Sequence, residues 1–183
     1  MSEKNHIMNI FKDTGALLEG HFILSSGKHS SQYFQCAKVL QYPDYLTAFS
    51  IMIADEFEEQ KPDVVISPAI GGLVLGTEVG TQLGCRTIFS ERKNGSMVIR
   101  RGFSLEAEEK VLIVEDVITT GGSVKEVMNL VEKANAKILG IGVLVDRSNG
   151  NVQLHNNQYS IIKLKAESYH EDEIPDELDA IPI

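Results

Sequence analysis

The segment VLIVEDVITTGGS, residues 111–123, places two adjacent acids directly before a turn of threonines, glycines and a serine. Gly121 and Gly122 allow a positive φ and a close approach of the backbone. Successive N–H groups can then point into one concavity at the start of a helix, which is a site for an anion. The turn adds three hydroxyl groups, those of Thr119, Thr120 and Ser123. Because the lysine of the triphosphate pattern G-x-x-x-x-G-K-[ST] is missing, the segment favours a terminal phosphate monoester.

The two acids, Glu115 and Asp116, would lie within a few ångströms of a phosphate bound in this turn. Carboxylates so close to an anion repel it unless they accept hydrogen bonds from sugar hydroxyls or hold a divalent metal. A phosphorylated ribose satisfies both parts of the segment, because its phosphate fits the turn and its diol fits the acids. The simpler alternative is a helix start, since Ser123-x-x-Glu126 has the form of a capping box.

Strand patterns alternate with helix patterns along the chain. Helices are predicted at 3–15, 44–60 and 71–84 and over the apolar positions Val124, Val127, Met128, Val131 and Ala134. Strands are predicted at 63–67, 85–91, 110–116, 138–146 and 160–164, with two short strands in the segment EGHFILSSGKHSSQYFQC. This order predicts an α/β fold with a parallel sheet covered on both faces. Ligands of such sheets bind beyond the carboxyl ends of the strands, where the acids and the turn lie.

The composition narrows the class of protein. The chain has 183 residues, 43% of them apolar and 23% charged, as expected of one globular domain. No apolar run approaches the roughly 18 residues of a membrane helix, and the first residues are too polar for a signal peptide, so we expect a cytoplasmic protein. Residues 167–183 hold seven acids and no Lys or Arg, which leaves 19 acids against 17 bases elsewhere. A nearly neutral body with an acidic tail argues against nucleic acid as a partner.

The segment VLIVEDVITTGGS resembles the phosphoribosyl pyrophosphate (PRPP) signature of type I phosphoribosyltransferases, in the form found in the orotate-specific enzymes. The resemblance implies the type I fold, a central mostly parallel sheet flanked by helices, with a small N-terminal hood. It implies transfer of phosphoribosyl from PRPP to orotate, giving orotidine 5′-monophosphate and pyrophosphate, with Mg²⁺ held through the pyrophosphate and no protein ligand identified. The implied PRPP residues in this segment are Glu115, Asp116, Val117, Ile118, Thr119, Thr120, Gly121, Gly122 and Ser123.

Two further segments resemble parts of the same family. SPAIGG, residues 67–72, stands where the family binds pyrophosphate, often with a strained or cis peptide. There the backbone N–H groups would come from Ala69, Ile70, Gly71 and Gly72; a tight strand-to-helix turn is the alternative. FSERKNG resembles the start of the mobile catalytic loop, so that Arg92 and Lys93 would meet the pyrophosphate and act in catalysis with Asp116. A solvated charged hairpin is the alternative there.

The base would be bound by two other segments. LVDRSNG resembles the strand end that places an arginine on the orotate carboxylate, because a guanidinium binds a carboxylate with two hydrogen bonds. Pairing of that arginine with Asp146 is the alternative. GHFILSSGKHSSQYFQC resembles the hood, although Phe34 could equally be a core residue. The implied orotate residues are Arg147, Thr119, Ser26, Gly27, Lys28 and Phe34. The implied division is a hood at about 1–42, a core at about 43–166 and an acidic tail at 167–183.

The chain departs from the pattern of many orotate enzymes. Ser25 stands where they carry a lysine, the loop KNGSMVIRRGF has no histidine, and AIGG lacks a lysine. Arg100 and Arg101 either replace the missing loop charge or lie on the surface. The family usually forms dimers, so we expect a homodimer in which Arg92 and Lys93 act across the interface. A purine phosphoribosyltransferase and a non-enzymatic PRPP-sensing regulator remain open as alternatives.

Overall fold

The computed structural model of the chain describes residues 3–23, 29–164 and 168–169. They fall into two compact units, one drawn from residues 1–42 and 165–183 and the other from residues 43–164. Ser168–Tyr169, in the segment expected to be an acidic tail, form a strand of the first unit. The interpretation of these parts as hood, core and tail of one domain stays a prediction.

The first unit contains a three-stranded antiparallel sheet and two helices. Its elements are α1 (Glu3–Asp13), β1 (Leu17–Ile23), β2 (His29–Phe34), α2 (Ala37–Leu40) and β9 (Ser168–Tyr169), with β2 between β1 and β9. Phe22 and Phe34 are buried, and the ring of Phe34 lies 6.2 Å from that of Phe11. Phe34 therefore packs as a core residue of this unit.

The second unit is built on a six-stranded sheet in the order β5-β4-β3-β6-β7-β8. Its strands are β3 (Val64–Pro68), β4 (Arg86–Lys93), β5 (Ser96–Ile99), β6 (Lys110–Ile118), β7 (Lys137–Asp146) and β8 (Gln158–Lys163). Its helices are α3 (Pro43–Phe57), α4 (Gly72–Leu83) and α5 (Gly122–Lys133), and a 3₁₀ turn, Glu58–Gln60, follows α3. All neighbouring strands pair in parallel except β5, which runs antiparallel to β4 at the edge. The predicted α/β fold with a mostly parallel sheet is confirmed.

Both faces of this sheet are covered, which explains the unbroken apolar run of β6. Val111 and Ile113 belong to the same buried cluster as Val124 and Val127 of α5, whereas the intervening Leu112 is buried outside that cluster. Strands buried on both faces have continuous rather than alternating hydrophobic sequences. On β7, a Cβ added at Gly142 would lie 2.5 Å from Ile53 of α3, so the glycine allows this helix to approach the sheet.

The strand register brings the carboxyl ends of β3, β6 and β7 to one edge of the sheet. Ile66 pairs with Ile113, and Ile118 pairs with Asp146. Two predicted strands end later than the sequence pattern indicates: β6 continues two residues beyond the acids, to Ile118, and β4 includes Arg92 and Lys93 because β5 pairs with it there. In the described part of the chain, no helix has both the length and the apolar character needed to cross a membrane.

Candidate active site

The turn between β6 and α5 is shaped by Gly121. This residue has a φ of 73°, in the left-handed region, and α5 begins at the next residue without a side-chain cap. A Cβ at Gly121 would lie 2.8 Å from Cγ1 of Val152 and 2.9 Å from Cδ1 of Leu154. Glycine is therefore required here both by backbone conformation and by space. The capping box that Ser123 and Glu126 could have formed is absent.

An open pocket of about 230 Å³ lies at this turn. It is lined by Arg92, Glu115, Val117, Ile118, Thr119, Thr120, Gly121, Gly122, Ser123 and Val124. The lining thus combines hydroxyl groups, a helix N-terminus and one guanidinium, which together suit an anion. Of the residues predicted from the signature, the structure brings all but Asp116 together around this pocket.

The acids before the turn form a coupled pair. Glu115 is 6% exposed, and its Oε1 accepts a hydrogen bond of 3.1 Å from the N–H of Asp116. Burial raises the pKa of Glu115 to about 9, and a side-chain hydrogen bond with Asp116 and the negative charge of Asp116 act in the same direction, whereas the bond from the backbone N–H of Asp116 lowers it. Glu115 therefore keeps its proton at neutral pH, and the pair carries at most one negative charge. This reduces the repulsion expected between two carboxylates and a neighbouring phosphate.

The turn between β3 and α4 lies next to the carboxylates of the acid pair. Its Ala69–Ile70 peptide bond is cis, as the resemblance implied. A Cβ at Gly71 would lie 2.5 Å from Oδ2 and 2.6 Å from Oδ1 of Asp116, and one at Gly72 would lie 3.2 Å from Oε1 of Glu115. The two glycines thus make room for the two carboxylates, and the acid pair lies between this turn and the pocket.

One predicted donor of this turn is already engaged. The N–H of Ala69 donates a 2.7 Å hydrogen bond to the carbonyl of Ser90 on β4. In the structure β4 thus uses the N–H group of Ala69, and the predicted place of Ala69 in the pyrophosphate site stays a prediction. Ile70, by contrast, is 84% exposed.

The predicted catalytic loop begins as a regular hairpin. Arg92 pairs with Met97 and Lys93 with Ser96, and the connecting Asn94 and Gly95 both have positive φ. Asn-Gly is the sequence favoured in two-residue hairpin turns. Arg92 and Lys93 belong to β4, which agrees with the alternative of a charged hairpin, and their role in catalysis stays a prediction.

The guanidinium of Arg92 reaches from this hairpin to the pocket. It donates to the carbonyl of Gly95 at 3.1 Å and to Oε1 of Glu126 at 3.1 Å, and its Nη2 lies 2.7 Å from Oε2 of Glu126. Lys93 is not among the residues that line the described pocket. Arg92 and Glu126 therefore connect the hairpin to α5.

The two arginines after β5 are engaged with Glu91. Arg101 donates to Oε2 of Glu91 at 3.0 Å, and Arg100 lies 3.3 Å from Oε1. The hydrogen bond from Arg101 holds the pKa of the Glu91 carboxyl below its usual value. The guanidinium of Arg101 also lies 5.7 Å from the centre of the Phe89 ring. These contacts favour the interpretation of both arginines as surface residues of the hairpin.

The end of β7 adjoins the end of β6. The N–H of Arg147 donates a 2.8 Å hydrogen bond to the carbonyl of Ile118, one residue before Thr119. The carboxylate of Asp146 is buried and accepts a 2.8 Å hydrogen bond from the N–H of Ser148. Arg147 is thus placed beside the start of the β6–α5 turn by its backbone.

Comparison with known proteins identifies the family. The profile of the phosphoribosyl transferase domain matches residues 38–173. An orotate phosphoribosyltransferase of Chlorobium phaeobacteroides (strain BS1) is 61% identical over 92% of this chain and 88% of that protein. One of Caldicellulosiruptor saccharolyticus is 51% identical over 98% of this chain and 94% of that protein. The chain belongs to the orotate phosphoribosyltransferase family.

Solved structures agree on the fold of this phosphoribosyltransferase. The crystal structure of orotate phosphoribosyltransferase from Aeropyrum pernix superposes with a TM-score of 0.74, at 23% identity, over 87% of this chain and 94% of that one. An adenine phosphoribosyltransferase from Thermoanaerobacter pseudethanolicus gives a TM-score of 0.64 at 18% identity, over 73% of this chain and 88% of that one. At these identities the likeness concerns the fold alone.

The remaining site predictions for this phosphoribosyltransferase concern the base. Ser26, Gly27 and Lys28 lie outside the described residues. Phe34 packs in the core of the first unit, which favours the alternative interpretation of that residue. The contact of Arg147 with the base stays a prediction. Glu126 was missed as a possible site residue, because its spacing from Ser123 indicated only a helix cap.

Proposed function

We propose that the chain transfers the phosphoribosyl group of PRPP to orotate, forming orotidine 5′-monophosphate and pyrophosphate in de novo pyrimidine biosynthesis. The observation that carries the proposal is the acid pair Glu115 and Asp116, which lies between an anion pocket and a second glycine turn. PRPP has a phosphate, a ribose diol and a pyrophosphate in the same order. The relatives named orotate phosphoribosyltransferase support orotate as the base.

The reaction breaks the bond between C1 of the ribose and the pyrophosphate, so positive charge builds on the ribose and negative charge on the leaving group. Catalysis then depends mainly on positioning and on electrostatic stabilisation. In this proposal residues 119–123 hold the 5′-phosphate, and Asp116 with Glu115 holds the ribose hydroxyls near the developing positive charge. Arg92 lines the pocket proposed for the 5′-phosphate and contributes positive charge there. Its predicted contact with the leaving pyrophosphate, which we place at the β3–α4 turn, stays a prediction.

Mg²⁺ is proposed to arrive with the substrate. The described residues include no cluster of three or more side chains suited to a metal, so a site made by the protein alone does not fit. Mg²⁺ commonly keeps several waters and binds one or two carboxylates together with substrate phosphates. Asp116, whose carboxylate lies beside Gly71 in the turn proposed to bind pyrophosphate, is suited to such a shared site. Bound there, the ion would neutralise charge on the leaving pyrophosphate.

Orotate is proposed to be bound by Arg147 and Thr119. The contribution of Ser26, Gly27 and Lys28, which lie outside the described residues, stays a prediction. The backbone bond from Arg147 to Ile118 supports the role of Arg147, because it anchors the arginine next to Thr119. A guanidinium matches the carboxylate of orotate with two hydrogen bonds. Adenine and hypoxanthine lack that carboxylate and would leave Arg147 without this ligand group.

We further propose a cytoplasmic homodimer. In this arrangement Lys93, which does not line the described pocket, reaches the site of the neighbouring chain. Arg92 lines the pocket of its own chain, which supports action within one chain for that residue. We therefore propose that Lys93 acts across the interface, whereas Arg92 acts within its own chain.

The test is the loss of orotate ultraviolet absorbance in the presence of PRPP and Mg²⁺, beside parallel reactions with xanthine, hypoxanthine, adenine and uracil. We expect turnover with orotate, with little or none with the purines and uracil, and loss of turnover when Mg²⁺ is chelated. Turnover of a purine with no loss of orotate would contradict the proposed base specificity. Binding of PRPP without turnover of any base would favour the regulator.

A further inference from the structure

We propose that Glu126 is a positioning residue that holds the guanidinium of Arg92 at the anion pocket; the inference rests on the proposed binding of PRPP there. Glu126 lies in α5, 34 residues from Arg92 along the chain. Its carboxylate faces both terminal nitrogens of the guanidinium, at 3.1 Å and 2.7 Å. The hydrogen bond from Nη1 to Oε1 and the ion pair between Nη2 and Oε2 hold the end of the guanidinium beside this carboxylate.

The local structure of α5 makes this assignment specific. Ser123-x-x-Glu126 could have formed a capping box, in which the glutamate turns back to the start of its own helix. Instead the N-cap is Gly121, and no side chain caps the helix. Glu126 therefore contacts Arg92 of the β4–β5 hairpin instead of stabilising the start of its own helix.

Arg92 needs such support because its side chain is long and half exposed. The exposed fraction of the side chain is 50%, against 38% for Glu126. A long side chain loses rotamer freedom when it is fixed on a ligand. Contacts from Glu126 and from the Gly95 carbonyl restrict the guanidinium before any ligand binds, so less freedom remains to be lost.

Because Glu126 is negatively charged, a positioning role and simple repulsion predict opposite changes in PRPP affinity when this charge is removed. A carboxylate near an anion site weakens anion binding through repulsion, so its removal should tighten the binding of PRPP. If the carboxylate instead positions Arg92, its removal should weaken that binding. The sign of the change therefore separates the two roles.

The experiment measures the dissociation constant of PRPP by calorimetry in the presence of Mg²⁺, together with the KM values for PRPP and orotate. For Glu126→Gln we expect PRPP binding to weaken about 3-fold, because partly exposed ion pairs are weak, with the KM for orotate unchanged. Arg92→Ala should weaken PRPP binding about 10- to 100-fold. Glu132→Gln, an exposed glutamate of the same helix, is the matched control and should behave as wild type.

A double-mutant cycle completes the test. In an Arg92→Ala background, Glu126→Gln should not weaken PRPP binding further, because the group it positions is gone. An equal weakening in both backgrounds would overturn the proposal in favour of a general structural role, and tighter binding by Glu126→Gln alone would overturn it in favour of repulsion. A wild-type chain that binds no PRPP would instead overturn the proposed function and this inference together. Normal PRPP binding without use of orotate would overturn only the proposed base.

Discussion

The β6–α5 turn and the β3–α4 turn share one sequence pattern, a buried strand followed by two glycines and a helix, yet their glycines serve different purposes. Gly121 has a positive φ and lies against the apolar side chains of Val152 and Leu154. Gly71 lies against the carboxylate of Asp116. The first glycine shapes a backbone that opens a pocket, whereas the second makes room for a charged side chain.

This difference indicates how one substrate can be divided between two similar turns. The β6–α5 turn offers hydroxyls and a helix N-terminus, which suit a phosphate without a metal. The β3–α4 turn has a carboxylate beside it, which suits an anion that carries a divalent cation. We propose that the acid pair between the turns binds the ribose.

The largest expected effect is that of Gly71→Ala. The added Cβ would lie 2.5 Å from Oδ2 of Asp116, so the carboxylate must move. A displacement of about 1 Å in a reacting site can reduce the rate roughly 100-fold, and we expect a loss of that size in kcat/KM for PRPP. Steady-state kinetics at saturating orotate provide the measurement.

Gly122→Ala is the matched control for folding. Its Cβ would come no closer than 3.6 Å to Oγ1 of Thr120, an ordinary contact, so the thermal unfolding temperature should stay near that of wild type. Circular dichroism should show that Gly71→Ala is also folded. Wild-type kcat/KM in a folded Gly71→Ala would mean that the carboxylate and the turn are not coupled.

The next effect, Arg147→Ala, asks whether the base lies at the end of β7, beside Thr119. Hydrogen bonds between charged groups contribute about 1.5–3 kcal/mol, so the KM for orotate should rise about 10- to 100-fold. The KM for PRPP should change less than about 3-fold, since both turns remain intact. Arg86→Ala, which breaks an ion pair with Glu109 before β6, is the control and should alter neither KM. Equal rises in both KM values would move Arg147 out of the base site.

The last effect concerns stability rather than catalysis and arises from the proton on Glu115. Its pKa is about 9 in the folded chain and near 4.3 for an unfolded glutamate, so the folded chain binds one more proton between these values. The contribution of Glu115 to the free energy of unfolding is therefore full below about pH 4.3 and falls as pH rises towards about 9, by at most ~1.4 kcal/mol per pH unit.

Glu115→Gln mimics the protonated acid, so its free energy of unfolding should not fall with pH through this group. At pH 8–9 the variant should unfold at a higher temperature than wild type. Thermal unfolding from pH 5 to pH 9 gives the comparison, and Glu132→Gln should keep the wild-type profile. If the unfolding temperatures of Glu115→Gln and wild type changed with pH in parallel, Glu115 would not be protonated in the folded chain as described.

The sequence predicted the parts of the site that depend on local pattern. Residues 117–123 are consecutive in the sequence and all line the pocket, so their grouping could be predicted from this segment alone. The engagement of the Ala69 N–H could not be predicted, because its acceptor, Ser90, belongs to another strand. The bond between Glu126 and Arg92 likewise depends on the hairpin and the helix being neighbours in space. The hairpin itself had a usable signal in Asn94-Gly95, which is typical of tight turns between strands.

The most direct measurement is a crystal structure of the chain with PRPP and Mg²⁺. We expect the oxygens of the 5′-phosphate within about 3.2 Å of backbone N–H groups of residues 119–123. We expect the ribose hydroxyls on Glu115 and Asp116, and the pyrophosphate beside Gly71 and Gly72. A pyrophosphate bound in the β6–α5 turn, with the 5′-phosphate elsewhere, would contradict the assignment of the two turns.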